Sequence, residues 1–291
     1  MIPKFTTQTD LIDGHAVHYA RGGDGPPVLL LHGFPQTHAM WHAIAPALAR
    51  HYTVIAPDLR GYGASGKPDD PAAYSFRGMA EGPRALMAAL GFESFHLIGH
   101  DRGGRTAHRL ALDTPDPVRS LTLMDIVPTH LLLADLTRKV AQAYYHWFFL
   151  AQPHPMPETM IAHDPDAYFE GCLMGWGAAD TSDFHPDALS AYRGAWRQPD
   201  TIRGMCADYR AALSHDFDLD AADLGRRLTM PALVMYGADG VMGRAYDVPA
   251  TWDDRLSDAR PCPIPGGHFF PDTHPRETAA ALLDFLRPQD A

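Results

Sequence analysis

The sequence is poor in cysteine: Cys172, Cys206 and Cys262 are the three in 291 residues. Their odd count, wide spread and lack of CxxC spacing argue against a disulfide framework or a thiolate zinc site, and suit thiols kept in a reducing compartment. No apolar run approaches the ~20 residues that a membrane span requires. The opening MIPKFTTQTDLIDG also lacks the apolar stretch of a secretory signal, so the expectation is a soluble cytoplasmic protein. Basic charge is short too. Lys and Arg number 24 against 35 Asp and Glu, a net charge of −11. A field of that sign disfavours nucleic acid and anionic membranes as partners, and an anionic substrate would need a local basic site. Internal repeats and low-complexity tracts are missing. With 46% hydrophobic and 20% charged residues, the composition is that of a globular protein rather than a disordered chain or coiled coil.

What is present is alternation. Residues 27–31 (PVLLL), 52–56 (YTVIA), 95–98 (FHLI), 121–124 (LTLM) and 232–236 (ALVMY) read as buried strands. Helical patterns lie between and after them, as at 78–90 and 278–286. Strands alternating with helices predict an α/β class with a mostly parallel sheet covered on both faces. From about 129 to 225 the rhythm breaks into aromatic-rich helical segments and a Pro-rich connection, PHPMP at 153–157. The expected organisation is a core in two parts, 1–128 and 226–291, with a helical cap of 129–225 inserted between them. Such a cap would close over the carboxyl ends of the strands, where open α/β sheets bind ligands.

The sharpest motif is Gly99-His100-Asp101-Arg102-Gly103-Gly104, where a strand feeds directly into a helix. Small residues around one central side chain permit the tight strand-to-helix turn of a nucleophile elbow. Here the central residue is Asp101 in place of the usual Ser. A carboxylate attacking an ester would give an anhydride, a poor route. Attacking sp³ carbon, it gives an alkyl ester that water can hydrolyse, which fits displacement of a halide or opening of an epoxide. A base is offered by His268 in GGHFF, before the last helix. For its orienting acid the pattern leaves two candidates open, Asp125 after LTLM and Asp239 in YGADG. The backbone N–H groups of Phe34, in His32-Gly33-Phe34-Pro35, and of Arg102 are placed to form an oxyanion hole. Arg102 and Arg105 flank the elbow and could grip a substrate carboxylate. Tyr144-Tyr145-His146-Trp147-Phe148-Phe149 and Tyr209 lie in the expected cap and carry ring-borne donors suited to a departing anion.

Two other patterns carry less. His15 and His18, or His38 and His42, could pair on a metal, but neither pair has a carboxylate motif beside it, so no metal site is expected. The stretch 61–66 matches GxGxxG, yet KPDDP follows instead of a helix. No helix N-terminus is available there for a pyrophosphate.

Together HGFPQ, DLRGYGASGKP, GHDRGGR, MDIVPT, YYHWFFLAQPHP, EGCLMGWG, CADYRA and GGHFF resemble the fluoroacetate dehalogenases of the α/β-hydrolase superfamily, over about residues 5–286. Haloalkane dehalogenases and epoxide hydrolases carry Trp after the nucleophilic Asp; Arg102 stands here instead, a departure toward haloacids. The resemblance implies an α/β-hydrolase fold with an inserted helical cap. It implies Asp101 as nucleophile, His268 as base, and Asp125, rather than Asp239, as its orienting acid. Arg102 and Arg105 match the carboxylate-binding pair, and His146, Trp147 and Tyr209 the halide-holding residues. It further implies a small haloacid substrate, no cofactor and a homodimer. Two readings compete: an epoxide hydrolase using Tyr209 with Tyr144 or Tyr145, and a non-catalytic ligand receptor on the same fold.

Overall fold

A computed structural model describes residues 2–177 and 180–290. Its eight strands are β1 (Thr6–Ile12), β2 (His15–Gly22), β3 (Pro27–Leu31), β4 (Thr53–Pro57), β5 (Phe95–His100), β6 (Val118–Met124), β7 (Ala232–Gly237) and β8 (Ala259–Ile264). They form one sheet in the order β1-β2-β4-β3-β5-β6-β7-β8. The pairs β1–β2 and β2–β4 are antiparallel, and all other neighbours are parallel. Every expected strand is present within a few residues of its predicted bounds. They form the middle of the sheet, where burial on both faces demands the continuous apolar runs that made them visible.

Three strands go beyond the expectation, and all lie toward the edges. β1 and β2 form a hairpin about Asp13-Gly14, with φ of 49° and 81° at the two turn residues. Positive φ at both positions is what a two-residue hairpin turn needs, and Asp-Gly supplies it readily. β1 is largely exposed and therefore polar. β8 (ARPCPI) holds two prolines, tolerated because it pairs on one side only, with β7.

Behind the sheet centre, the helices Phe76–Ala89 and Arg102–Asp113 pack against each other. Ser75 caps the first, its hydroxyl accepting from the Gly78 N–H. The final helix, Pro275–Leu286, starts three residues earlier than the pattern suggested, with Pro in its first turn. Between β6 and β7 the described chain is helical, from Thr129–Ala134 to Phe217–Ala222, and contains no strand. Pro165, Pro186 and Pro199 each open a helix there, and in the expected connection PHPMP, Pro157 lies in the first turn of the helix Met156–His163. One buried apolar cluster runs through the sheet and this helical stretch alike, joining Leu97 and Leu123 to Leu150, Phe169 and Trp196. Cys172 and Cys206 are buried free thiols, and Cys262 is half-buried. No helix among the described residues is long and apolar enough to cross a membrane.

Candidate active site

The site begins at the end of β5. Parallel register sets His100 beside Met124 of β6, and Met124 beside Met235 of β7. The residues that follow, Asp101 and Asp125, therefore emerge side by side. The backbone continues the register: Asp101 N–H donates to Met124 O at 3.1 Å, and Asp125 N–H to Met235 O at 2.8 Å. Asp101 has φ 49° and ψ −116° and directly precedes the Arg102–Asp113 helix. A non-glycine residue held there costs roughly 1–3 kcal/mol, a strain typical of residues aimed at a site. Gly103 makes the turn possible, because a Cβ on it would lie 2.3 Å from the Leu31 carbonyl oxygen. The Asp101 carboxylate is nearly sealed from solvent, and its Oδ1 accepts from the Phe34 N–H at 2.9 Å. Arg102 opens the helix, so its N–H has no intrahelical carbonyl to reach.

His268 lies against both carboxylates. Its Nδ1 is 2.6 Å from Asp125 Oδ2, while its Nε2 is 3.8 Å from Asp101 Oδ2. The first is a short hydrogen bond and the second is too long for one. Asp125 is itself fixed, its Oδ1 accepting from the Gly237 N–H at 2.8 Å. Burial alone would lower the His268 pKa. The hydrogen bond and charge of Asp125, with the charge of Asp101, outweigh it and raise the group above its ordinary value. Burial pushes Asp101 up, but His268, His100, Arg102 and the Phe34 N–H pull it down to about 2. Asp239, by contrast, is exposed. Its Oδ2 accepts from the Gly266 N–H at 3.2 Å, and so it braces the loop ahead of His268 instead of meeting the ring.

Aromatic residues of the helical stretch close over Asp101. Phe34 stacks on His146 at 5.8 Å and meets Tyr209 edge-on at 5.1 Å; Trp147 lies 5.5 Å from Tyr209. The Arg102 guanidinium sits 4.9 Å from the Trp147 ring and 4.3 Å from that of Tyr209, and Arg105 also lies 4.9 Å from Trp147. Five buried polar atoms in this group have no partner among the described residues: Arg102 NH1, Arg105 Nε, His146 Nδ1, Trp147 Nε1 and the Tyr209 hydroxyl. Buried donors are nearly always satisfied, so five orphans in one place point to a ligand that satisfies them. Burial holds His146 neutral and Tyr209 protonated. Each keeps a donor and presents no full charge of its own.

A family profile described as the alpha/beta hydrolase fold matches residues 26–275. A fluoroacetate dehalogenase from Burkholderia sp is 53% identical over 268 residues, covering 91% of this chain and 88% of that protein. The chain belongs to the fluoroacetate dehalogenase family of α/β hydrolases. This family member is also 31% identical to a soluble epoxide hydrolase of Corynebacterium sp. (strain C12), with 99% of each chain covered. A solved structure from Nostoc sp PCC 7120 superposes on it with a TM-score of 0.96 at 46% identity, covering 98% of this chain and 99% of the other.

Several residues of this dehalogenase-family site escaped the sequence reading. Trp176 sits 4.1 Å from His146 and 5.8 Å from His268, and its carbonyl accepts from the His268 N–H at 2.8 Å. His100 donates from Nε2 to the His268 carbonyl at 2.8 Å. Asp208 and Tyr62 join Arg102, as described below. The structure also separates residues that were considered together. Tyr144 is buried beside His146, but Tyr145 is 49% exposed. His42 lies against His185, the ring centroids 4.7 Å apart. The absence of a carboxylate near His38 needs correcting: Asp58, twenty positions away, lies 2.7 Å from its Nδ1. Among the described residues, His18, His38 and Asp58 bring ligand atoms within 4.8 Å of one another. Asp58 is already engaged there, by the His38 N–H and ring through Oδ1 and by the Ala64 N–H through Oδ2. Gly63, with φ 49°, passes so close that a Cβ would meet Asp58 Oδ2 at 2.0 Å. Of the GxGxxG glycines, Gly63 thus lets the chain close on a buried aspartate, while Gly61 passes close to Tyr74 and Gly204.

Proposed function

We propose that the protein hydrolyses haloacetates such as fluoroacetate and chloroacetate to glycolate and halide, through a covalent ester on Asp101. The observation that carries this reading is the ring of five unpartnered buried donors around an ionised, strained carboxylate. Arg102 NH1 and Arg105 Nε suit a carboxylate; the donors of His146, Trp147 and Tyr209 suit a departing halide. A dehalogenase at 53% identity supports the same chemistry.

In the first half-reaction, one Asp101 oxygen attacks the α-carbon of the bound haloacetate in line with the carbon–halogen bond. That bond breaks, and halide leaves with the electron pair toward His146, Trp147 and Tyr209. In the second, water attacks the ester carbonyl of Asp101 while His268, oriented by Asp125, takes a proton. The Phe34 and Arg102 N–H groups hold the oxyanion. The ester C–O bond then breaks, and glycolate leaves with the proton from His268. The Asp101 carboxyl, carrying the new oxygen from water, ionises. The helical stretch acts as a cap, 129–225, that excludes solvent from both steps.

Fluoride is the hard case, because its carbon bond is strong and its hydration tight. Three donors at ~1.5–3 kcal/mol each supply roughly 5–9 kcal/mol. At ~1.4 kcal/mol per decade this is on the order of 10³ to 10⁶ in rate if it is realised mainly in the transition state. The test is ion-chromatographic halide and glycolate release from fluoroacetate and chloroacetate by wild type, Asp101→Ala and Trp147→Phe. Equal amounts of halide and glycolate, lost in Asp101→Ala, are expected. Trp147→Phe should slow fluoride release about tenfold more than chloride release. Equal losses for both halides would remove Trp147 from the leaving-group role.

An epoxide hydrolase reading shares Asp101 and His268 and draws on the unpartnered Tyr209 hydroxyl. It leaves the Arg102 and Arg105 donors without a purpose, and Tyr145 is too exposed to polarise an epoxide. Turnover of an epoxide with no halide from either haloacetate would establish it instead. The homodimer is proposed on Tyr145, Met156, Met160 and Met174, exposed apolar residues on three consecutive helices packed one on the next. Sedimentation velocity should give twice the chain mass at micromolar concentration; a monomer there overturns it.

A further inference from the structure

Arg102 is completely buried, and most of its guanidinium is occupied before any ligand arrives. Its Nε donates to Asp208 Oδ2 at 2.9 Å. Its NH2 donates to Asp208 Oδ1 and to the Asp208 carbonyl, the latter at 3.1 Å. Asp208 is equally buried, and the hydroxyl of Tyr62, on the turn after β4, donates to the same Oδ2 at 2.6 Å. The rings of Phe76, Trp147 and Tyr209 enclose the cation within 4.9 Å. What remains is NH1, buried and unpartnered. Arg102 therefore does not offer the two-pronged fork that guanidinium groups commonly give a carboxylate; Asp208 already holds that fork.

Resting on the haloacetate reading, we propose that Asp208, held by Tyr62, is a positioning residue that sets how the site recognises its substrate carboxylate. It fixes Arg102 in one orientation, with NH1 as the presented donor. It also cancels the Arg102 charge inside the protein, so that uncompensated attraction for a single anion falls to Arg105. Arg105 has no carboxylate partner among the described residues: its NH1 donates to the Val127 carbonyl and the Thr129 hydroxyl, both at 2.9 Å. The two arginines thus divide the work, one supplying direction and the other charge. Two facts separate this role from simple support of the fold. The Asp208 fork ends on an arginine directly adjacent to Asp101, and Asp208 immediately precedes Tyr209, whose own hydroxyl is an unpartnered donor of the site.

The test compares wild type, Asp208→Asn and Tyr62→Phe in chloroacetate kinetics and in acetate binding followed by tryptophan fluorescence, which requires no turnover. In Asp208→Asn, the KM for chloroacetate and the Kd for acetate should rise together by about tenfold, with kcat changing less than about threefold, the split expected when uniform binding is lost. Tyr62→Phe should move both in the same direction by a smaller factor. Unchanged acetate affinity in folded Asp208→Asn, or a fall in kcat with KM unchanged, overturns the proposal. If Asp208→Asn does not fold, Tyr62→Phe decides alone, and unchanged acetate affinity in it overturns the proposal. Wild type that binds acetate, loses that binding in Asp208→Asn and releases no halide would sustain the role of Asp208 and remove the dehalogenase reading.

Discussion

His268→Asn should release a single equivalent of halide from chloroacetate and then stop, with a carboxymethyl group on Asp101. The two proposed half-reactions place different demands on the site. Alkylation needs an ionised carboxylate, and Asp101 is held near pKa 2 at the end of β5. Hydrolysis needs a base for water, and the Nε2 of His268, 3.8 Å from the Asp101 carboxylate, is the group in place. Removing a general base lowers steady-state turnover by roughly 10²- to 10⁴-fold, so the ester accumulates. Rapid-quench halide measurement with intact-mass and peptide mapping would detect it. Repeated turnover at an undiminished rate, or no initial burst, would contradict the assignment. The electrostatics assist the sequence of events. The negative charge of Asp101 is one of the causes raising the His268 pKa. Once Asp101 is esterified that charge is gone and the His268 pKa falls, so the imidazole becomes a free base when water must be activated.

Asp125→Asn should be nearly as damaging, and Asp239→Asn nearly silent. The Asp125 carboxylate accepts from His268 Nδ1 at 2.6 Å and is anchored by the Gly237 N–H. An Asn there retains the shape but favours the wrong tautomer, a change costing on the order of 10³- to 10⁴-fold in kcat in comparable triads. It also removes the largest influence raising His268 against burial, so the ring pKa should fall below its ordinary value. NMR titration of the ring would show it. Asp239→Asn weakens one exposed 3.2 Å contact to Gly266 and should leave kcat within about threefold. A large loss from Asp239→Asn with Asp125→Asn unaffected would invert the assignment of the acid.

How legible these features were in the sequence follows from how local their causes are. β3 to β7 show as apolar runs because both faces of the central sheet are buried. β1, β2 and β8 lie toward the edges, where polar residues and prolines are tolerated, and the Asp13-Gly14 turn was their one clear signal. Asp101 is readable because its elbow is six contiguous residues. From the local pattern the choice between Asp125 and Asp239 was not, since both follow a strand; the resemblance favoured Asp125, and the register of β5, β6 and β7 sets it beside Asp101. The Asp208 partnership joins positions 106 apart, and that of Asp58 with His38 joins positions 20 apart. Such pairs are set by tertiary approach, and neither residue carries a local pattern that names its partner. Arg102 looked free beside the elbow for the same reason.

In the proposed reaction, the group that attacks and the groups that receive the leaving atom come from different parts of the chain. Asp101, Asp125 and His268 stand on sheet ends and the loop after β8, where Gly103 admits no side chain. His146, Trp147 and Tyr209 stand on helices between β6 and β7. Selection on the preferred halogen can thus act on the second set while the bond-making apparatus remains untouched. A lineage, or a laboratory library, that confines variation to His146, Trp147 and Tyr209 would, in that reaction, sample new leaving groups while leaving Asp101, Asp125 and His268 as they are.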